Sequence, residues 1–267
     1  MAERFELSGA RALVTGATGG LGGAITRALA AKGARLVVTG RRVDVLEPLA
    51  GEVGGTAIVA DLNSAEGIDR LVDAAGDVDV LVLNAALPGS GAVLDYTPEE
   101  IERAVTVNLL APALLARRIA PAMVERKRGH IVFIGSLSGL AATRGVGIYS
   151  MTKFGLRGLT HGLRADLHGT GVGVSIVQPG FVRDAGMFAD TGLTPPPGAG
   201  TTTPEKVAKG VLRAIERNRA EVNVAPVPLR VAAHIGGVAP GLSAPIANRA
   251  GSEDYVQQFA DRQRHRR

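Results

Sequence analysis

Short, nearly continuous apolar runs alternate along this chain with longer segments in which apolar residues recur every three or four positions. The apolar runs predict seven β-strands, at 11–15, 35–39, 56–60, 80–83, 130–135, 173–178 and 221–225. The periodic segments predict helices at 20–32, 43–50, 64–76, 98–126, 149–168 and 204–217. Because strands separated by helices pair in parallel, the alternation predicts an α/β fold with a doubly wound, seven-stranded parallel sheet flanked by helices.

This alternation stops at residue 225. We expect residues 1–225 to form a single domain, since α/β domains of such length commonly remain undivided. In the extension 226–267, the apolar part contains several prolines and glycines, so no sustained amphipathic helix is expected there. The extension is interpreted as a wall over a cleft or an arm at an oligomer interface, in preference to a membrane-contacting segment. The basic tail 262–267 is expected to be disordered.

Composition narrows the class of protein. Hydrophobic residues make up 46% of the chain and charged residues 21%, as in folded globular proteins. Cysteine is absent, which excludes disulfides and thiolate metal sites. The net charge of +5 comes with only 3% aromatic residues and no recognition motif, so no nucleic-acid partner is expected. With no signal-peptide-like run at the start and no charge-free stretch of transmembrane length, we expect a cytoplasmic protein without membrane contact.

A glycine-rich turn stands between the first predicted strand and the first predicted helix, in the order Thr-Gly-Ala-Thr-Gly-Gly-Leu-Gly. Glycines let the backbone approach a pyrophosphate, whose charge then lies at the positive end of the helix. An ordinary strand-to-helix turn is the alternative, and the spacing differs from the usual G-x-G-x-x-G fingerprint. The candidate dinucleotide-binding residues of the turn are Gly16, Thr18, Gly20, Leu21 and Gly22.

Two arginines follow the second predicted strand, where the ribose of a bound adenosine would lie. A carboxylate at this position would bind the free 2'-hydroxyl of NAD, whereas Arg41 and Arg42 favour the 2'-phosphate of NADP. The alternative is that both side chains only face the solvent. The sequence therefore predicts NADP(H) in preference to NAD(H).

Tyr149 and Lys153 are spaced four residues apart on a predicted helix and therefore share one face. A tyrosine hydroxyl normally has a pKa near 10, and a nearby ammonium favours its ionised form, although burial opposes this effect. We expect Lys153 to lower the pKa of Tyr149, so that the hydroxyl serves as a general acid and base. By itself this pair occurs often by chance, and its meaning depends on the neighbouring motifs.

Taken together, the glycine-rich turn, Asn84-Ala85-Ala86, Asn108, Ser136 and the Tyr149/Lys153 pair resemble the short-chain dehydrogenase/reductase family. The resemblance extends over roughly residues 8–225 and implies a Rossmann-type dinucleotide-binding fold. It implies that Ser136 orients the substrate oxygen, while Asn108 anchors a water that relays protons to Lys153. For Asn108, a local structural hydrogen bond is the alternative. Ser138 lies close to Ser136 and is interpreted as a loop residue.

The resemblance also assigns further cofactor contacts. It implies that Asp61 and Leu62 border the adenine, that Asn84 and Ala85 line the site, and that the segment after the sixth strand borders the nicotinamide. The members of that segment are Pro179, Gly180 and Val182. Asp184 replaces a threonine of the family, and from the sequence it either accepts a hydrogen bond from the carboxamide or turns with Arg183 to the solvent.

These observations predict an NADP(H)-dependent oxidoreductase that interconverts a small-molecule ketone or aldehyde and its alcohol, with hydride transfer and Tyr149 as general acid/base. The alternatives are an NAD-linked secondary alcohol dehydrogenase and, from a different class, a non-catalytic dinucleotide-binding sensor or scaffold. Three glycines at 155, 158 and 162 on the Tyr149 helix suggest close helix packing, and the resemblance implies a homodimer or homotetramer. Residues 191–204 have the composition of a mobile substrate lid.

Overall fold

A computed structural model describes residues 5–241 and 253–264. Its strands are β1 Arg11–Thr15, β2 Arg35–Gly40, β3 Thr56–Val59, β4 Val80–Leu83, β5 Gly129–Ile134, β6 Val172–Pro179 and β7 Glu221–Val224. Its α-helices are α1 Gly20–Ala30, α2 Val43–Glu52, α3 Ala65–Ala75, α4 Pro98–Val105, α5 Ala111–Glu125, α6 Gly147–Asp166, α7 Pro204–Glu216, α8 Val227–Val238 and α9 Glu253–Gln263. The predicted strands and helices up to residue 225 are thus all present, with ends displaced by a few residues.

The seven strands form one parallel sheet in the order β3-β2-β1-β4-β5-β6-β7. This confirms the doubly wound, Rossmann-type fold predicted from the sequence. The strand order reverses between β1 and β4, so the connections that leave these two strands diverge to opposite faces. In such sheets a crevice opens at the carboxyl ends of the strands beside the reversal, and ligands bind there.

Helices cover both faces of the sheet, because the central strands are apolar on both sides. Ala12 and Val14 of β1 join one cluster with helices α1, α2 and α7, while Leu13 points to the opposite cluster with α3, α5 and α6. β4, β5 and β6 are buried along their whole length. This two-sided core makes the carboxyl edge of the sheet a rigid base for side chains.

The long helix predicted at 98–126 is interrupted by a wider π-helical turn at Thr106–Leu110. Such turns insert one extra residue per turn and are frequent at functional sites. Among the described residues, the run Pro98–Glu125 is the one helix long and apolar enough to cross a membrane by composition. Half of its apolar window is buried, and Leu115 and Ile119 pack against the sheet, so it has the position of a core helix.

Helix α8 corrects the expectation that the extension lacks a sustained helix. Pro226 precedes the helix and Pro228 lies in its first turn, where a missing backbone N–H breaks no helical hydrogen bond. Gly236 and Gly237 fall in its last turn, where their low helix propensity matters least. Prolines and glycines at these positions therefore delimit the helix and do not prevent it.

Helix α9 corrects the expectation that the tail is disordered from residue 262. Arg262 and Gln263 belong to its last turn, and Arg264 continues it as a tighter turn, while residues 265–267 lie outside the described residues. The Gln263 side chain is 4% exposed. Arg262 donates a hydrogen bond to the carbonyl oxygen of Thr191. This contact and those of Gln263, described below, order this part of the tail despite its basic composition.

Candidate active site

One large cavity of about 1510 Å³ opens at the carboxyl edge of the sheet, beside the strand reversal. The cavity extends from the glycine-rich turn after β1 to helices α8 and α9. Every candidate site residue predicted from the sequence lines it, with the exception of Asn108. The fold thus brings together residues that are up to 166 positions apart, from Gly16 to Val182.

The glycine-rich turn is closely packed against the segment that follows β4. Gly16 has a φ of 64°, and a Cβ built on it would lie 2.8 Å from the Cα of Ala85. A Cβ on Gly22 would lie 2.2 Å from the carbonyl oxygen of Gly16. Larger residues cannot occupy these positions without moving the backbone. The turn therefore leaves space for a pyrophosphate beside the N-terminus of α1, and it fits the phosphate groups of a dinucleotide.

Asn84 and Thr15 hold this turn in place. The Asn84 amide nitrogen donates to the carbonyl oxygens of Thr15, at 3.0 Å, and Gly16, at 3.1 Å. The Thr15 hydroxyl accepts hydrogen bonds from the backbone N–H groups of Asn84 and Ala85. Asn84 was predicted as a cofactor contact, and the geometry gives it a positioning role in addition. Thr15 was not predicted, because a strand-end threonine carries no distinctive sequence signal.

The end of the cavity beside β2 carries Arg41, Arg42 and Asp61, all exposed. Arg42 donates a hydrogen bond to the carbonyl oxygen of Thr18 in the glycine-rich turn. Arg41 forms no hydrogen bond or ion pair with any other residue that the structure describes. The Arg42 guanidinium therefore stabilises the turn, while that of Arg41 is available to an anionic group in the cavity.

Tyr149, Lys153 and Ser136 meet at the centre of the cavity. Tyr149 and Lys153 lie one turn apart on α6, and Ser136 follows β5. Lys153 is 3% exposed, and its Nζ donates to the carbonyl oxygen of Ile134 at 2.9 Å. The same Nζ lies 5.4 Å from the centre of the Tyr149 ring. The Ser136 hydroxyl accepts a hydrogen bond from the Ser138 N–H, at 3.1 Å, which fixes its orientation next to Tyr149.

The electrostatics of this group differ from the sequence-based expectation. Burial raises the pKa of Tyr149 to about 12, and a hydrogen bond with Ser136 opposes the rise only in part. Burial also lowers the pKa of Lys153 to about 8. The expected lowering of the Tyr149 pKa by Lys153 was therefore wrong for this state of the protein, because desolvation dominates the shift and the opposing contribution comes from Ser136. Tyr149 is protonated at neutral pH, as a proton donor must be.

Asn108 lies beneath the cavity, within the π-helical turn, and is 1% exposed. Its Oδ1 accepts from the Leu87 N–H at 2.6 Å, and its Nδ2 donates to the Leu87 carbonyl at 2.9 Å. The Leu87 backbone thus uses one N–H and one lone pair of the side-chain amide. These bonds are of the kind that the structural alternative from the sequence describes, and they hold the segment after β4 that lines the cavity.

The backbone around Gly89 supports Tyr149, a contact that no motif or periodicity indicates. A Cβ on Gly89 would lie 2.8 Å from the Tyr149 nitrogen, and one on Gly139 would lie 2.7 Å from the Lys153 carbonyl oxygen. Only glycine permits both approaches. The close approach of these glycines to α6 depends on contacts between residues far apart in the sequence, and no local pattern predicts such contacts.

Pro179, Gly180 and Val182 leave β6 along the cavity wall. Asp184 follows with a φ of 72°, a left-handed conformation that aspartate tolerates better than most residues. Its Oδ2 accepts a hydrogen bond from the Nε of Arg183 at 3.2 Å, with both side chains more than half exposed. In this structure Asp184 pairs with Arg183 and also lines the cavity, so both alternatives from the sequence stand.

Comparisons with known proteins agree with this site. The family model described as short chain dehydrogenase matches residues 10–194. Ketoacyl reductase HetN from Nostoc sp. is 38% identical over 232 residues, which cover 84% of this chain and 81% of that protein. The chain therefore belongs to the short-chain dehydrogenase/reductase family, and it is an NAD(P)-dependent oxidoreductase.

Two solved structures illustrate the cofactor chemistry of similar proteins. A short-chain dehydrogenase from Sphingobium yanoikuyae in complex with NADPH has a TM-score of 0.75 and 29% identity, covering 87% of this chain and 94% of that one. A metagenomic short-chain oxidoreductase in complex with NADP has a TM-score of 0.70 and 36% identity, covering 83% and 99%. Proteins with this fold and similar sequences thus bind nicotinamide dinucleotides.

Proposed function

We propose that the protein is an NADPH-dependent reductase of ketones or aldehydes, with Tyr149 as its proton donor. The observation that carries the proposal is the meeting of Ser136, Tyr149 and buried Lys153 in the cavity that begins at the glycine-rich turn. A bound NADPH would supply a hydride, with its two electrons, to the carbonyl carbon. The cavity fits this group, since the glycine turn admits a pyrophosphate and the arginines follow β2.

The chain's own residues then handle the proton. Ser136 holds the substrate oxygen beside the Tyr149 hydroxyl, and Tyr149 donates its proton to that oxygen as negative charge develops on it. Lys153 places a positive charge beneath the resulting phenolate and so favours the proton transfer. Asn108 fixes the backbone that supports this wall. The carbonyl carbon gains the hydride, the oxygen gains the proton, and the phenolate is reprotonated from the solvent.

Arg41 supports the assignment of NADPH over NADH. Replacing Arg41 by alanine is expected to weaken NADPH binding about 10- to 100-fold, because a hydrogen-bonded charge pair with the 2'-phosphate is lost. NADH binding, which lacks that phosphate, is expected to stay unchanged. Titration calorimetry of both dinucleotides measures this difference, with Arg217→Ala as a matched control outside the cavity. Equal affinity of the unmodified protein for the two dinucleotides would instead support the NAD-linked alternative.

We also propose that the protein forms a homodimer or homotetramer through the exposed face of α6. Gly158 and Gly162 have no neighbour within 4 Å of a built Cβ, so this face permits close approach of a second helix. Phe154 and Met151 are exposed on the same helix by 42% and 45%. Replacing Phe154 by arginine is expected to dissociate the oligomer, as measured by sedimentation velocity. Val238→Arg, on α8, is the control, and an unchanged mass for both variants would contradict this interface.

A further inference from the structure

The end of the cavity beyond Tyr149 is closed by helices α8 and α9, which lie outside the part of the chain that matches the family model. α8 packs on the segment after Ser136, since a Cβ on Gly237 would lie 2.6 Å from the carbonyl oxygen of Leu140. α9 covers the loop before α6, where a Cβ on Gly145 would lie 2.2 Å from Val256. We call the part of the cavity between these helices the C-terminal arm.

The walls of the C-terminal arm are mostly apolar. Leu229 and Ala232 of α8 face it, together with Val256 and Phe259 of α9. The aromatic ring of Phe259 lies 6.2 Å from that of Phe188, which extends the apolar wall across the cavity. Among the described residues, the charged ones that line this end are all exposed and therefore stand at its rim; they are Arg103, Arg144 and Asp190.

A buried hydrogen-bond bridge holds α9 on the cavity. The Ser90 hydroxyl donates to Oε1 of Gln263 at 2.6 Å, and Nε2 of Gln263 donates to the carbonyl oxygen of Met187 at 2.7 Å. Ser90 follows Gly89, which packs on the backbone of Tyr149. The bridge therefore links the last turn of α9 to both sides of the cavity and to the segment that supports the proposed proton donor.

The volume leaves room for a second molecule. Sites for a single small molecule usually occupy about 300–1,000 Å³, and this cavity holds about 1510 Å³. A dinucleotide that extends from Arg41 to Tyr149 would leave the C-terminal arm unfilled. A small polar substrate would gain nothing from its apolar walls, whereas a large hydrocarbon group would be removed from water there.

We infer that the substrate is a ketone or aldehyde with a long or bulky hydrocarbon group, which binds in the C-terminal arm. Gln263 is the positioning residue that keeps α9 over this group. The inference rests on the proposed function, because the carbonyl end must reach Tyr149 and Ser136. It extends that function by naming the substrate class and the elements that select it.

The test uses methyl ketones of increasing alkyl length. Calorimetry measures their binding to the NADP⁺-loaded protein, and NADPH oxidation measures their reduction. We expect affinity and kcat/KM to rise roughly two- to fourfold with each added methylene until the arm is filled. Ala232 is exposed, so Ala232→Trp fills the arm without disturbing the core. In this variant, affinity and kcat/KM should no longer depend on alkyl length. Val231→Trp, on the same helix but outside the cavity lining, is the matched control and should retain it.

Each outcome separates the two proposals. Binding that strengthens with alkyl length and is lost in Ala232→Trp, but without reduction of any ketone, would overturn the proposed function and retain the arm. Reduction of short and long ketones with equal kcat/KM and equal affinity would overturn the arm and retain the function. A dependence on alkyl length that is the same in Ala232→Trp, Val231→Trp and the unmodified protein would exclude α8 as a selecting element.

Gln263 is tested by the same series. Gln263→Ala should lower kcat/KM for long ketones about tenfold, mainly through KM, and lower it several times less for short ketones. Gln257→Ala is the control, since Gln257 is exposed on α9 and, among the described residues, its side chain bonds only Asp261 of the same helix. Equal losses for short and long ketones in Gln263→Ala would contradict its role in selection and indicate a general effect on the fold.

Discussion

Replacing Tyr149 by phenylalanine is expected to lower kcat/KM for carbonyl reduction by about 10²- to 10⁴-fold, the usual contribution of a positioned general acid. The change removes only the hydroxyl, and the aromatic ring keeps its contact with Lys153. NADPH affinity should remain within a few-fold of that of the unmodified protein. Steady-state NADPH oxidation and a binding titration together measure the two effects.

Tyr96→Phe serves as the control for this prediction. The Tyr96 hydroxyl donates to the carbonyl oxygen of Ser90 and lies outside the cavity lining. The same chemical change there should leave reduction within a few-fold of the original rate. A Tyr149→Phe variant that keeps a tenth or more of the activity would contradict the assignment of Tyr149 as proton donor.

Replacing Lys153 by methionine is expected to abolish measurable reduction and yet to change the free energy of unfolding by less than about 2 kcal/mol. The lowering of the Lys153 pKa from 10.5 to about 8 corresponds to about 3 kcal/mol against burial of the ammonium. Methionine removes this unfavourable contribution but leaves the Ile134 carbonyl without its donor, which costs about 1–3 kcal/mol. Denaturant unfolding and NADPH oxidation measure the two quantities.

The pH dependence tests the same residue. Burial depresses the pKa of Lys153, so the ammonium is present below about pH 8 and is lost above it. Reduction should therefore decline as pH rises through about 8. The ammonium form also makes the folded state less stable, and stability at this site should increase from about pH 8 upward. Lys153→Arg keeps its charge over this range, so its residual activity should lack the decline; a decline at the same pH in this variant would assign it to another group.

Much of the candidate site could be predicted from residues that lie close together in the sequence. Tyr149 and Lys153 share a face of α6 because their spacing matches a helical turn, and Gly16 and Gly22 mark a turn that only glycine can form. The arginines at the end of β2 follow that strand directly in the sequence, so their position does not depend on the rest of the fold. These features depend on residues that are close in sequence, and the structure reproduces their arrangement.

Features that depend on contacts between residues far apart in the sequence could not be predicted from it. The amide of Asn108 is bonded to Leu87, and Gly89 approaches Tyr149, across loops whose course is set by packing. The sign of the Tyr149 pKa shift was also misjudged, since it depends on how completely the hydroxyl is removed from water. Prolines after residue 225 predict an interrupted helix, yet those of α8 lie at its start.

Periodicity and short motifs act over a few residues, and they were therefore sufficient to predict the succession of strands and helices, the sheet type and the candidate reactive residues. The closure of the far end of the cavity by α8 and α9 became visible only in the folded chain. Gln263 illustrates why, since its burial arises from Ser90, 173 positions earlier, and from Met187. Such pairings follow from the packing of the whole chain, and no local pattern encodes them.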